Sequence, residues 1–213
     1  MDSLFHNRPS GPPPAGALEL LYVQDQVVSG IIPYTTNVSY LPRPATVTLE
    51  LGGATAVSTT AQIAAFAPGV FTSNQAGTGN VAAVNADGTI NSPLHPSQRG
   101  SMVLLYGTGF FTENADALGT CGNYEFASNL VERTAYPIEV DVAGERAWVL
   151  YAGSAPGLTC GLQQVNVIIP NDSATGPAVP LQLRAVMFTG EEFLGPFNNP
   201  AVPAQNGLTI AIQ

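Results

Sequence analysis

Lysine is absent from this sequence. The basic residues are six arginines set against fifteen acids, which leaves a formal net charge of −9. A surface with that balance repels polyanions, which argues against nucleic acid or an anionic membrane as partner. Charged residues make up only 10% of the chain, well below the usual quarter, so helices laced with Glu–Lys pairs are not expected. Long apolar runs are missing too. The longest candidate, Met102–Tyr106, is strand-sized, whereas a membrane span needs roughly 18–20 residues. Histidine and cysteine are scarce, with two of each. Without a CxxC, and with His6 and His95 beside unrelated loops, a zinc site is not expected, and neither is any other metal or cofactor.

What the chain has in quantity is punctuation: 22 glycines and 18 prolines between short β-branched and aromatic runs. These runs predict strands over 18–23, 28–32, 45–51, 61–66, 70–73, 80–85, 101–107, 138–142, 147–152, 165–169, 179–185 and 208–212. The segments 45–51 and 138–142 alternate with period two, as expected of sheets with one wet face. Asp87-Gly88 and Ala143-Gly144 have the composition of tight turns. Sustained 3.6-residue periodicity is lacking, so the class is all-β.

A degenerate repeat runs through the chain. Leu20-Leu-Tyr22, Ser29-Gly-Ile-Ile-Pro33 and Ala45–Leu51 match Val149-Leu-Tyr151, Asn166-Val-Ile-Ile-Pro170 and Val179–Arg184, and each copy closes on a further strand, 61–66 or 208–212. The repeat predicts two tandem β-sandwich units. The second copy is preceded by two extra strands, 101–107 and 138–142, which the first copy lacks. The expected organisation is a Pro-rich extended tail over 1–17, a first unit over 18–93 that is short of strands, and a second over 94–213 with a long loop at 187–206. Such a deficient unit exposes an edge to strand addition from the second unit, its own tail or another chain.

Cys121 and Cys160 are the whole thiol inventory. In an acidic, Lys-free, Gly-rich chain they read as one disulfide of an oxidising compartment, with two unpaired thiols as the alternative. Residues 1–17 lack the basic start and apolar core of a signal peptide, so a secreted protein would carry its export signal outside this chain.

Ala67-Pro-Gly-Val-Phe-Thr72, Gly77-Thr-Gly79, Val84-Asn-Ala-Asp-Gly-Thr-Ile-Asn-Ser-Pro93 and Arg99-Gly-Ser-Met-Val-Leu-Leu-Tyr-Gly-Thr-Gly109 occur in a recognisable order. They are followed by Tyr151-Ala-Gly-Ser-Ala-Pro-Gly157, Gln164-Val-Asn-Val-Ile-Ile-Pro170 and Leu208-Thr-Ile-Ala-Ile-Gln213. Over about residues 20–213 this series resembles the uncharacterised C-terminal domain family of secreted proteins from soil acidobacteria of the Solibacter type. The stretch 100–110 also resembles the first strand of an IPT-type domain. The resemblance implies an immunoglobulin-like, extracellular accessory module with no established activity. Three departures stand out. Both cysteines fall in segments atypical of the family, which favours the disulfide. The 187–206 insertion is long and aromatic. Finally, Val27 and Ser29 stand where the second repeat has Gln164 and Asn166.

Candidate chemistry is sparse. Phe188, Phe193 and Phe197, with Asn198 and Asn199, make a weak candidate binding loop, since aromatics beside amides stack on sugar rings or anchor a partner protein; a loop folded over a sheet has the same composition. His95, between prolines and serines, is the residue on which a metal-assisted hydrolase would depend, but a surface linker explains it as well. Glu139 and Asp141 share a strand face and would suit calcium, or simply a solvated face. Asp87 belongs to a turn. Trp148, Tyr106 and Tyr151 are expected in the core. No catalytic residue is assigned. The expected function is non-catalytic extracellular attachment or assembly. Its partner would be a protein, through self-association or a parent or cell-surface protein, with polysaccharide as the alternative.

Overall fold

The computed structural model describes residues 18–24, 27–31, 43–64, 67–110, 137–158, 161–186 and 201–213. The chain divides into two compact units, Met1–Asn37 and Val38–Gln213. Among the described residues every regular element is a strand, so the all-β class holds, and no helix is long and apolar enough to cross a membrane.

In the first unit β1 (Glu19–Gln24) and β2 (Val27–Ile31) form a two-stranded antiparallel ribbon. In the second unit β3 (Arg43–Leu51) and β4 (Ala54–Ile63) form another. Gly52 and Gly53 turn β3 into β4 with φ of 59° and 82°, the left-handed pair that a two-residue type I′ turn requires. The strand expected over 61–66 is longer at its start. The structure begins it at Ala54, because Gly52-Gly53 sets the register even though the Ala/Ser/Thr run after it lacks alternation.

Ten strands make one curled sheet: β5 (Gly69–Val70), β6 (Gly79–Asn80), β7 (Ala83–Asn85), β8 (Met102–Thr108), β9 (Ile138–Val142), β10 (Glu145–Ser154), β11 (Gln163–Ile168), β12 (Gly176–Val186), β13 (Ala201–Pro203) and β14 (Leu208–Ile212). The path runs β5-β8-β11-β10-β9-β12-β14-β6, with β7 beside β8 and β13 beside β12. The expected single strand over 80–85 is two pieces, because β6 pairs with β14 while β7 pairs with β8. The curl turns on β10. Its residues 145–147 pair with β9, and residues 148–154 pair with β11 through a register shift between Val149 and Tyr151. A bulge of this kind bends a strand and strengthens its twist. The ends of the path meet where Thr72 bridges Val81 and the Ser73 amide donates to the Asn80 carbonyl at 2.8 Å.

Inside the curl sits the core. β8 and β9 alternate between buried and half-buried positions, sending Val103, Leu105, Val140 and Val142 inward to meet Val165, Val167 and Ile210. At the β5–β8 junction the backbones approach closely. A Cβ on Gly109 would lie 2.1 Å from the Ala67 carbonyl oxygen, and one on Gly107 would lie 2.3 Å from that of Gly69.

The repeat reappears as hydrogen-bond register. In β1–β2 Leu20 faces Gly30 and Tyr22 faces Ser29 across a register shift; in β10–β11 Val149 faces Val167 and Tyr151 faces Asn166 across the same shift. The second hairpins correspond too. Ala45↔Ala61, Thr46↔Thr60 and Val47↔Thr59 parallel Val179↔Ile210, Pro180↔Thr209 and Leu181↔Leu208. Register therefore sets Thr59–Ile63, rather than 61–66, against Leu208–Ile212.

Candidate functional site

Two features of the described residues bear on function: ribbons that lack flanking strands, and an exposed tryptophan beside an interlocked ion-pair quartet.

In the second repeat copy, β8 lines the free edge of β11 from Met102 to Gly107, and β9 lies between β10 and β12, paired to both. The strands of the first copy, β1 to β4, pair among the described residues only within their own ribbons. Isolated two-stranded ribbons are marginal in water. The β3–β4 ribbon is also amphipathic. Ala45, Val47, Leu49, Val57, Ala61 and Ile63 fall on one face by register, with Thr59 among them and Arg43 at its end, and Thr46, Thr48, Ser58, Thr60 and Gln62 on the other. Val57 is 57% exposed and Leu51 66%, so this face is only partly covered. β4 runs for ten residues without charge, proline or glycine, and thus lacks the devices that usually guard an edge strand.

The second feature lies on the outer face of β9, β10 and β12. Glu139 and Asp141 project outward from β9, opposite Arg184 of β12 and Arg146 of β10. Each arginine joins both carboxylates. Arg146 Nη1 lies 2.7 Å from Glu139 Oε1 and its Nε 2.7 Å from Asp141 Oδ1, while Arg184 Nε lies 2.7 Å from Glu139 Oε2 and its Nη1 2.6 Å from Asp141 Oδ2. All four carboxylate oxygens thus accept from a guanidinium. Burial pushes the Glu139 carboxyl upward, but the hydrogen bonds from Arg146 and Arg184 outweigh it and hold the group below its ordinary value. The bond to Glu139 in turn raises Arg146. A calcium ion at Glu139 and Asp141 would have to displace both arginines.

Trp148, expected in the core, is 74% exposed. Two residues beyond Arg146 on β10, it shares that residue's outward face, while Ala147 between them is buried. The spacing from Arg146 carried this signal, but composition alone argues for burying a lone tryptophan. Together with Ile138, Glu139, Arg146, Ala147 and Val149 it lines an open depression of about 360 Å³. Of the tyrosines expected in the core, Tyr151 is buried and donates its hydroxyl to the Ser154 carbonyl at 2.7 Å, whereas Tyr106 is half-buried.

His95 is exposed on a short turn. Its amide donates to the Ser92 carbonyl at 3.0 Å, and its carbonyl accepts from Asn85 Nδ2 at 2.8 Å, so its backbone staples the segment down. Asp87 accepts from the Thr89 hydroxyl at 2.7 Å and the Thr89 amide at 3.0 Å, closing the expected turn. These bonds, the hydroxyl's first, lower its carboxyl below the ordinary value. Among the described residues no group of three or more His, Cys, Asp or Glu is placed to hold a metal ion. Gln164 and Asn166 are buried, with Gln164 Nε2 donating to Asn166 Oδ1 at 2.7 Å; the first copy has Val27 and Ser29 at these positions. Phe188, Phe193, Phe197, Asn198, Asn199, Cys121 and Cys160 lie outside the described residues, as do residues 1–17.

Comparison with known protein families, curated proteins and solved structures finds no match for this chain.

Proposed function

We propose that this chain is a non-catalytic, secreted module of the uncharacterised acidobacterial C-terminal family, built from two immunoglobulin-like units and acting in extracellular assembly or attachment through completion of its strand-deficient first unit. One observation carries the reading. The two repeat copies share hairpin register, yet among the described residues only the second has its flanking strands. β8 and β9 flank one pair of hairpins, the equivalent pair gains no such strand from the described residues, and an unpaired backbone edge binds a strand in extended register. The ordered series of family motifs supports the extracellular setting, and the acidic, Lys-free composition accords with it.

Light scattering over a concentration series, combined with amide hydrogen exchange, tests this. Association is expected to rise with concentration, with amides of 27–31 and 54–63 gaining protection as it does. Deleting residues 1–17 discriminates the donor: loss of association assigns it to the tail, and retention assigns it to an edge strand of a second copy. A monomer at every concentration, with those amides exchanging freely, overturns the assembly reading.

A further inference from the structure

We propose that the outer face around Trp148 is a platform for a neutral polysaccharide, the indole stacking on a sugar ring while Arg146 and Glu139 bond its hydroxyls. This site goes beyond the assembly role and shares no residue with the ribbons on which that role rests.

A tryptophan that is 74% exposed on a strand of the curled sheet is not needed for packing. Arg146 is tied to Glu139 and Asp141, which are tied in turn to Arg184, so the polar groups beside the indole are fixed in place by four short bonds. Such fixing lowers the ordering cost that flexible surface side chains impose on binding. The result is an apolar plate flanked by rigid donors and acceptors. A pyranose presents the complementary pair, an apolar C–H face and a rim of hydroxyls that both donate and accept. The indole N–H adds a further donor.

Charge and size narrow the class. The quartet holds two arginines and two carboxylates and is internally neutral, so it offers no uncompensated charge to an ionic ligand. The net charge of −9 disfavours polyanionic polysaccharides. The depression, about 360 Å³, lies at the small end of ligand sites. It suits one or two sugar residues of a chain passing over it, whereas a stable protein interface covers about 800 Å² on each partner.

Trp148 is the only tryptophan, so tryptophan emission of the intact chain, excited beyond the absorption of its seven tyrosines, reports on this site alone. The probes are soluble hexamers of four neutral polysaccharide types: β-1,4-glucose, β-1,4-N-acetylglucosamine, β-1,4-xylose and β-1,3-glucose. At least one is expected to shift emission to shorter wavelength in a saturable manner and to shield the indole from acrylamide. Trp148→Ala, with unchanged circular dichroism, should weaken retention on the matching polysaccharide at least about tenfold, with part of it kept in Trp148→Phe. Arg146→Met should weaken retention without altering the emission of the free protein. Unchanged emission and quenching with all four hexamers at millimolar concentration overturn the proposal. So does an emission change that follows protein concentration alone, which would make the face a contact between copies.

Discussion

Asn91 holds Ala211 from 120 residues away by imitating a strand: its Nδ2 donates to the Ala211 carbonyl at 2.9 Å and its Oδ1 accepts from the Ala211 amide at 3.0 Å. Its second amide hydrogen goes to Asn85 Oδ1 at 3.0 Å, so a fully buried side chain has its polar atoms paired. Gln205 does the same for Val70, accepting from its amide at 3.0 Å and donating to its carbonyl. Two side-chain amides thus fasten short segments to the curled sheet where regular pairing stops. Asn91→Ala orphans the Ala211 amide, while the Ala211 carbonyl keeps the Ser97 amide at 2.9 Å, and is expected to cost roughly 1–3 kcal/mol in urea unfolding. A loss below half a kilocalorie would mean that water replaces the amide.

Gly109 at the β5–β8 junction and Gly88 in the Asp87 turn separate two costs. Gly109→Ala drives a Cβ to 2.1 Å from the Ala67 carbonyl at φ +78°, whereas Gly88→Ala, at φ +84°, meets nothing within 4 Å. The second should cost only the left-handed penalty of about 1–2 kcal/mol. The first should cost that plus a backbone displacement, exceeding it by at least about 1 kcal/mol. Equal losses would refute the close approach.

For the quartet the pH dependence has a definite sign. Glu139 is an acid held below its ordinary value, so its contribution is complete at neutral pH and disappears as pH falls through the lowered value. The stability gap between the wild-type protein and Glu139→Gln should be no more than about 1 kcal/mol at pH 7, given the partly exposed setting. It should narrow towards pH 3, below the ordinary carboxylate range near 4. A gap independent of pH contradicts the pairing.

Trp148→Ala should change stability by less than about 0.5 kcal/mol, as surface replacements usually do. A buried tryptophan would cost about 3–5 kcal/mol, so thermal unfolding of this variant decides directly which face the indole occupies.

Val57→Lys places a charge on the apolar face of the β3–β4 ribbon. It is expected to lower the association of the assembly proposal in sedimentation experiments while leaving the melting temperature of the curled sheet within a few degrees. Association unaffected by the lysine would shift attention to the β1–β2 ribbon.

Much of the architecture was legible in the residues. Ile138-Glu-Val-Asp-Val142 announced a strand with one wet face, and Ala143-Gly144 announced its turn with φ of 54° and 87°. Local chemistry suffices for such features, since pleat and turn depend on neighbours in sequence. The candidate site was half legible: Glu139 and Asp141 were placed on one face, but their arginine partners and the exposed indole were not foreseen.

Those missing parts depend on contacts between residues far apart in the chain. Alternation in Arg146-Ala147-Trp148-Val149 separates two faces without saying which is inward, because each contains a large apolar group. That choice falls to β9 and β12, whose pairing aligns Arg146 with Asp141 and Arg184 with Glu139 and turns Ala147 towards the core. In the same way, equivalent hairpins from the two repeats end in different surroundings, since β8 and β9 flank only one pair. Period and turn chemistry act over a few residues and write the strands; burial is shared among strands tens of residues apart, and only their assembly selects the face that remains outside.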